Sequence, residues 1–360
     1  MFFDFKTGIK NPNQFAYFNL LKIIGAIVIA FFFHFQDHFL LYLSIKKPFT
    51  GIFYFLSIYG HCFVEMFFII SGILFSYVYQ PKIIQGLSFK AFIKNRALRL
   101  FPLAVLTTLT AYGFNILLHQ NNIGFWGPNT AKNIFCDTFL LTKIVNTNPY
   151  LNGPAWYISV LMVCYVLGFL FTKFKSSSLF FFAVFIGICI PCFKLNYPFL
   201  NIDIARGLLS FFTGVSIKPL FEIISSFKQN EKIIFRIFII SSIAVSFTIY
   251  QKNSLYFSPA SFITFFLFIP LFICLYELKW LNKLCETKTM KLLGDISFDI
   301  YLWNFPIYMF LQLFIIKGYI KLLSVWSFWY FVIALHLIVT LLSHRFIKTK
   351  RTSYFSKAAS

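Results

Sequence analysis

The sequence predicts an all-α membrane protein that crosses a bilayer many times. Of its 360 residues, 59% are hydrophobic and only 12% are charged, whereas a soluble domain carries about 25% charged residues. A chain with so little polar surface cannot cover a water-facing globule, and a disordered or collagen-like chain is excluded by the same composition. The chain also contains about ten apolar stretches, each close to the roughly 20 residues that a transmembrane helix needs.

These stretches are continuously apolar and do not alternate with polar residues, which favours helices over a membrane barrel. The first stretch follows a polar segment and is too long for the hydrophobic region of a signal peptide. The ten predicted spans are residues 16–39, 57–79, 99–118, 154–173, 177–195, 207–224, 233–250, 257–277, 294–316 and 325–343.

The net charge of +21 is best explained by topology. If both termini are cytoplasmic, 22 of the 32 lysines and arginines lie in cytoplasmic segments and nine outside, with Lys22 inside the first span. Cytoplasmic loops carry such an excess as a rule, and no basic extramembrane domain supports nucleic-acid binding. We therefore expect one membrane-embedded domain over residues 1–360, without a C-terminal soluble domain.

The longest connection, residues 119–153, is predicted to be external and is rich in asparagine. It is either an ordinary solvated loop or a neutral, hydrogen-bonding surface suited to a sugar. Most of the seven cysteines lie in apolar runs and are predicted to be small buried hydrophobic residues. Cys189 and Cys192 form a C-x-x-C without a second pair or a nearby histidine, so no metal or redox site is predicted.

Ionisable residues at membrane depth cost roughly 2.5–3.5 kcal/mol or more each, and they mark functional sites by default. The first span carries Lys22 near its cytoplasmic end and His34, Asp37 and His38 toward its outer end. His34 and His38 are four residues apart and share a helical face. That spacing permits metal binding, but the chain offers no other clear ligand set.

The second span carries His61 and Glu65 one turn apart, also in the outer half of the bilayer. Asp37, His38 and His61 are explained as interfacial residues that reach water. His34 and Glu65 lie among apolar neighbours and are the better candidates for acid–base chemistry, because a carboxylate beside an imidazole can fix its tautomer and stabilise its charged form.

Arg96 and Arg99 open the third span and project from one face at the cytoplasmic surface. They are either ordinary flanking cations or a clamp for a phosphate, which guanidinium groups bind well. The residues alone leave both readings open.

Five motifs occur in a recognisable order along the chain. They are Asn19-Leu-Leu-Lys22-Ile-Ile-Gly with His34 downstream, Glu65-Met-Phe-Phe-Ile-Ile-Ser71-Gly72, Arg96-x-x-Arg99 followed by Phe101-Pro102, Pro154-Ala-Trp156-Tyr157-Ile-Ser159, and Gly294-Asp-Ile-Ser297-Phe-Asp-Ile-Tyr301-Leu-Trp303-Asn304-Phe-Pro306. Over nearly its whole length the chain resembles the acyltransferase-3 family of integral-membrane O-acyltransferases, which acetylate bacterial surface glycans.

Three positions depart from the family pattern. Where the family has Arg, ten residues and His, this chain has Lys22, eleven residues and His34; the extra residue rotates Lys22 by about 100° relative to His34 on an ideal helix. Glu65 stands where Asp is common, and Asn304 stands where His is common. A hydrogen-bonding role survives both changes, but proton transfer by Asn304 does not.

The resemblance implies an O-acetyltransferase of the bacterial inner membrane. It would move an acetyl group from cytoplasmic acetyl-CoA to a hydroxyl of an extracytoplasmic glycan or glycolipid, with no bound cofactor. His34 is expected to act as base or acyl carrier, with Glu65 orienting it. The expected donor-binding residues are Lys22, Arg96 and Arg99. The expected acceptor or structural residues are Ser71, Trp156, Tyr157, Ser159, Tyr301, Trp303 and Asn304.

Two other functions fit the composition. The buried charges could form the proton relay of a glycolipid transporter or flippase, although no repeats or matching broken helices are visible. The chain could also be a membrane sensor or structural subunit.

Overall fold

The computed structural model describes residues 8, 14–40, 48–120, 130–145, 152–252, 263–276, 278–319 and 324–357. Regular structure in these ranges is helical, and no strand forms within them. The α-helices are α1 (Tyr17–Val28), α2 (Gly51–Tyr59), α3 (Phe63–Leu74), α4 (Gln80–Ile84), α5 (Phe89–Gln120), α6 (Ala131–Thr138), α7 (Ala155–Lys173), α8 (Ser177–Cys192), α9 (Ile202–Ser216), α10 (Lys218–Ser226), α11 (Gln229–Lys252), α12 (Ile269–Tyr276), α13 (Lys279–Cys285), α14 (Lys288–Ile316) and α15 (Val325–Lys357).

Each of the ten predicted stretches coincides with helix in its described part, which confirms a multi-pass, all-α membrane protein. Within the described ranges, seven helical segments are long and apolar enough to cross a bilayer, or eight if one bent pair forms a single span. The seven are Phe18–Asp37, Gly51–Ile84, Phe89–Gln120, Ala155–Lys173, Ile202–Ile224, Lys288–Ile316 and Val325–Ile347.

The count of about ten spans is not confirmed, for three local reasons. Helix α8 has 16 residues and extends roughly 24 Å, which is short of a hydrocarbon core of about 30 Å. Predicted span 257–277 begins outside the described residues and continues into a pair of helices bent by 90°. Side chains of α11 from residue 242 onward also lie outside the described part. The positions of the termini stay a prediction.

The chain divides into two compact units. Unit 1 comprises Met1–Phe18, Val64–Arg96 and Val160–Lys291. Within this unit, α3 and α8 pack against α9 through glycines. A Cβ at Gly72 of α3 would collide with the backbone of Phe211, and one at Gly187 of α8 would lie 2.7 Å from the backbone nitrogen of Leu209. Small residues let helix backbones approach closely. Membrane helices depend on such packing, because the hydrophobic effect does not drive helices together inside a bilayer.

Unit 2 comprises Asn19–Phe63, Ala97–Ser159 and Leu292–Ser360. A Cβ at Gly294 would collide with the Asn19 side chain, so the start of α14 lies close against the first span. Further along α14, the side chains of Phe305 and Met309 join a buried apolar cluster with Ala111 of α5. Within unit 2, α14 therefore contacts both the first span and α5.

Within unit 2, the first span widens beyond Val28 into a π-helical segment, Ile29–Leu40. Long π-helical runs are rare, and single π-helical turns within α-helices are frequent at functional sites. Side chains from two other helices bond its backbone: the Tyr308 hydroxyl donates to the Ala30 carbonyl at 2.5 Å, and the Trp329 indole N–H donates to the Phe31 carbonyl at 2.7 Å. The widened segment, which carries His34, is thus tied to α14 and α15.

Candidate functional site

His34 lies buried in the π-helical segment of unit 2. Its Nδ1 atom is 2.7 Å from the side-chain oxygen of Asn304 on α14. The ring of Phe305 meets the imidazole edge-on, with 5.1 Å between ring centroids. The structure therefore brings together two residues that the sequence analysis singled out on helices 270 residues apart in the chain.

The Asn304 side chain is itself fully buried. Its Nδ2 atom lies 3.3 Å from the carbonyl oxygen of Ala30 and 3.3 Å from Nε2 of His336. Both amide atoms therefore have partners, as a buried polar group requires. Asn304 cannot transfer a proton, but it links two imidazoles by hydrogen bonds.

His336 was not singled out from the sequence, although a signal for it exists. It is an ionisable residue in the middle of predicted span 325–343, the same criterion that selected His34 and Glu65. The side chain is fully buried, and its ring lies edge-on to Phe31 with 5.0 Å between centroids. The sequence could not show that His336 contacts Asn304, because no local sequence pattern indicates which helix packs against α15.

Glu65 lies in unit 1, where it is fully buried. Both of its carboxylate oxygens bond the guanidinium of Arg206 on α9: Nε donates to Oε1, and Nη2 donates to Oε2 at 3.1 Å. Such a bidentate pair is the strongest ordinary side-chain ion pair. Arg206 is one of the nine lysines and arginines that are predicted to lie outside the cytoplasm. The sequence signal for this contact was Glu65 itself, because a buried carboxylate requires a basic partner.

Of the donor-binding candidates, Lys22 lies in unit 2 and is half-buried. Its Nζ atom is 3.3 Å from the side-chain oxygen of Asn19. The charges of Arg99 and Asp295 both act on the Lys22 ammonium, and the Arg99 side chain is exposed. Lys22 and Arg99 therefore form one mixed-charge region of unit 2.

Arg96 belongs to unit 1 and is half-buried. Its guanidinium donates a hydrogen bond to the Tyr79 hydroxyl, and its central carbon lies 4.4 Å from the centroid of the Tyr79 ring and 5.7 Å from that of Tyr165. These contacts restrict the motion of the guanidinium, because a planar cation is attracted to the faces of aromatic rings.

The remaining motif residues have mixed surroundings. Trp156, Tyr157, Ser159 and Tyr301 are buried in unit 2, and the rings of Tyr157 and Tyr301 meet edge-on at 5.9 Å. Trp303 is half-buried there, and Ser71 is half-buried in unit 1. Burial of the aromatic residues fits a packing role at least as directly as a role against sugar rings.

A further contact between two ionisable side chains, this one in unit 2, was not predicted from the sequence. Nδ1 of His344 on α15 lies 2.9 Å from Oδ2 of Asp299 on α14. Asp299 appeared in the sequence only as part of a motif. The pair joins the same two helices that Asn304 and His336 join, so α14 and α15 are connected by polar contacts at two levels.

Other sequence predictions meet the structure only in part. His61 contacts the ring of Phe33, with 5.2 Å between centroids. The side chain of His38 and most of the asparagines of loop 119–153 lie outside the described residues; the described part of that loop contains helix α6. Across the described residues, no three His, Cys, Asp or Glu side chains are placed to hold a metal ion.

Comparison with known proteins identifies the family to which the chain belongs. The family model of the acyltransferase-3 family, described as an acyltransferase domain, matches residues 15–345. No match was found among curated proteins or among solved structures. The chain therefore belongs to the acyltransferase-3 family, and its apolar helices make it a multi-pass membrane acyltransferase.

Proposed function

We propose that the protein is an O-acetyltransferase of the bacterial inner membrane, which moves an acetyl group from cytoplasmic acetyl-CoA to a hydroxyl of an extracytoplasmic glycan or glycolipid. The observation that supports it is the buried His34, hydrogen-bonded through Nδ1 to Asn304, in a chain of the acyltransferase family. A buried imidazole whose one nitrogen is held by an acceptor is suited to base or nucleophilic chemistry at the other nitrogen.

Two routes use this imidazole. As general base, His34 takes the proton of the acceptor hydroxyl while the hydroxyl oxygen attacks the thioester carbon; the C–S bond breaks, and the imidazolium returns the proton to the CoA thiolate. As acyl carrier, the ring nitrogen attacks the thioester carbon, the C–S bond breaks and the CoA thiolate leaves. The hydroxyl oxygen then attacks the acyl-imidazole, the bond between the acetyl carbon and the ring nitrogen breaks, and the hydroxyl proton ends on the thiolate. Both routes leave a free thiol and an ester.

For the donor, we propose that Lys22 and Arg99 contact phosphates of CoA. The support is their shared region in unit 2, where Asn19 holds the Lys22 ammonium. Lysine supplies a point charge and arginine a fork, and both suit phosphate oxygens. Arg96 is a further candidate for a phosphate contact, because stacking on Tyr79 and Tyr165 already limits its motion.

For the acceptor, we propose a path that is bordered by Trp156, Tyr157, Tyr301 and Trp303, with Ser159 beside them. For Ser71, in unit 1, we propose a structural role as part of its motif. Aromatic faces suit the apolar faces of sugar rings.

For Glu65 we propose a supporting part: its carboxylate fixes the Arg206 guanidinium by two hydrogen bonds. The expectation that Glu65 orients His34 stays a prediction.

The deciding experiment uses purified full-length protein in lipid nanodiscs with acetyl-CoA labelled in the acetyl group and a panel of bacterial glycans and glycolipids. We expect label in an acceptor with the wild-type chain and none with His34→Ala. Reconstitution in sealed vesicles tests the transporter alternative. Movement of a glycolipid across the bilayer without acetylation would support a flippase and contradict the acetyltransferase.

A further inference from the structure

A chain of hydrogen bonds starts at a backbone carbonyl of α15. Nδ1 of His336 lies 2.9 Å from the carbonyl oxygen of Val332, four residues earlier on the same helix. A carbonyl oxygen can only accept, so the hydrogen must be on Nδ1 of His336. The ring is fully buried between the rings of Phe31 and Tyr308, surroundings that favour a neutral imidazole over a charged one.

In a neutral imidazole with its hydrogen on Nδ1, Nε2 carries the lone pair and accepts. The atom of Asn304 that faces it, at 3.3 Å, must therefore be the amide nitrogen. The carbonyl oxygen of Ala30, also 3.3 Å from that atom, favours the same orientation. Two acceptors on one side fix which way the amide points.

With the nitrogen of the Asn304 amide so directed, its oxygen faces Nδ1 of His34 at 2.7 Å. An amide oxygen cannot donate, so Nδ1 of His34 carries the hydrogen of this bond. Turning the amide over would set its oxygen against the Ala30 oxygen and the His336 lone pair. Both of these hydrogen bonds would be lost, and the bond to His34 would survive only if that ring carried its hydrogen on Nε2.

We propose that His336, acting through Asn304, fixes the tautomer of His34 with hydrogen on Nδ1 and the reactive lone pair on Nε2. His336 is thus a positioning residue for the reaction. This inference rests on the proposed function for its catalytic consequence: Nε2 of His34 is the atom that accepts the hydroxyl proton or forms the bond to the acetyl carbon.

The tautomer itself can be read without any substrate. Full-length protein labelled with ¹⁵N-histidine in detergent micelles gives long-range proton–nitrogen correlations that distinguish hydrogen on Nδ1 from hydrogen on Nε2. The chain has six histidines, and His34→Gln identifies the His34 signals by their loss. We expect the pattern of hydrogen on Nδ1 for both His34 and His336. Hydrogen on Nε2 of His34 in the wild-type chain would overturn the proposal.

A matched pair of variants tests the part of His336. His336→Gln can offer a side-chain oxygen as acceptor to the Asn304 nitrogen, whereas His336→Leu has similar bulk and no acceptor. We expect His336→Leu to give a mixture of His34 tautomers and to lower kcat about tenfold with KM little changed. His336→Gln should restore the pattern and most of kcat. A His34 tautomer that does not respond to His336→Leu would remove His336 from the proposal.

The two proposals can fail separately. If the wild-type tautomers are as expected and respond to His336→Leu, but no acceptor is acetylated, the acetyltransferase proposal fails while the tautomer assignment stands. If acetylation depends on His34 but its hydrogen lies on Nε2, the tautomer assignment fails while the acetyltransferase stands.

Discussion

Asn304 binds His34 and His336 with opposite ends of one buried amide: its oxygen lies 2.7 Å from Nδ1 of His34 and its nitrogen 3.3 Å from Nε2 of His336. A histidine in place of Asn304 could make comparable bonds, but its ring could also take up a proton. The amide keeps its donor and acceptor at every ordinary pH. Asn304 therefore links the two imidazoles by hydrogen bonds without adding a third titrating group.

Replacement of His34 by Ala should lower the rate of acetyl transfer by about 10²–10⁴-fold, since that is the usual contribution of a positioned base. The measurement is label transfer from acetyl-CoA at equal protein amounts, with membrane insertion checked by fractionation. His119→Gln, at the end of α5, is the matched control and should retain activity. Activity in His34→Ala close to that of the control would refute the central role of His34.

The Glu65–Arg206 pair should be needed for stability. Arg206→Met leaves a buried carboxylate without its guanidinium, and breaking such a pair costs about 3–5 kcal/mol. We expect a clear fall in the thermal unfolding midpoint in detergent. Adding Glu65→Gln to Arg206→Met removes the stranded charge and should recover part of the loss.

Lys279→Met, at an exposed position of unit 1, serves as the control for loss of a cation and should leave the midpoint unchanged. Equal midpoints for Arg206→Met and Lys279→Met would show that the ion pair contributes nothing to stability.

Affinity for CoA should depend on the arginines to different degrees. Arg96→Gln should weaken binding about tenfold, because a charge-assisted bond from a restricted guanidinium contributes about 1.5 kcal/mol or more. Arg99 is exposed, so Arg99→Gln should weaken binding by only about twofold to fivefold. Binding is measured by calorimetry on purified protein. Lys94→Gln, exposed on the same helix, should bind normally; an affinity unchanged by both arginine variants would leave them as topology determinants.

Orientation can be tested by reporter fusions. A reporter placed after Ser360 should behave as cytoplasmic, because the lysine and arginine excess then lies inside. The same reporter inserted after Thr130, in the predicted external loop, should behave as extracytoplasmic. A cytoplasmic signal from Thr130, or an external one from Ser360, would require a different number or direction of spans.

By itself, the sequence determined the class of the protein and the position of its helices. A bilayer demands long apolar stretches, so hydropathy locates helices from local composition alone. Local order also identified His34, Glu65 and Asn304, because motifs and buried ionisable residues are visible along the chain. Span number was less well determined, since composition does not show that α8 stops at 16 residues or that Thr264–Cys285 bends.

Only the tertiary structure decided which residues face one another. Spacing within a helix shows which side chains share a face, but not which helix meets that face. That choice depends on close backbone approach at glycines such as Gly72, and on hydrogen bonds between helices. For this reason Arg206 could not be assigned to Glu65, nor His336 to Asn304, until α9 and α15 had been placed beside their partners.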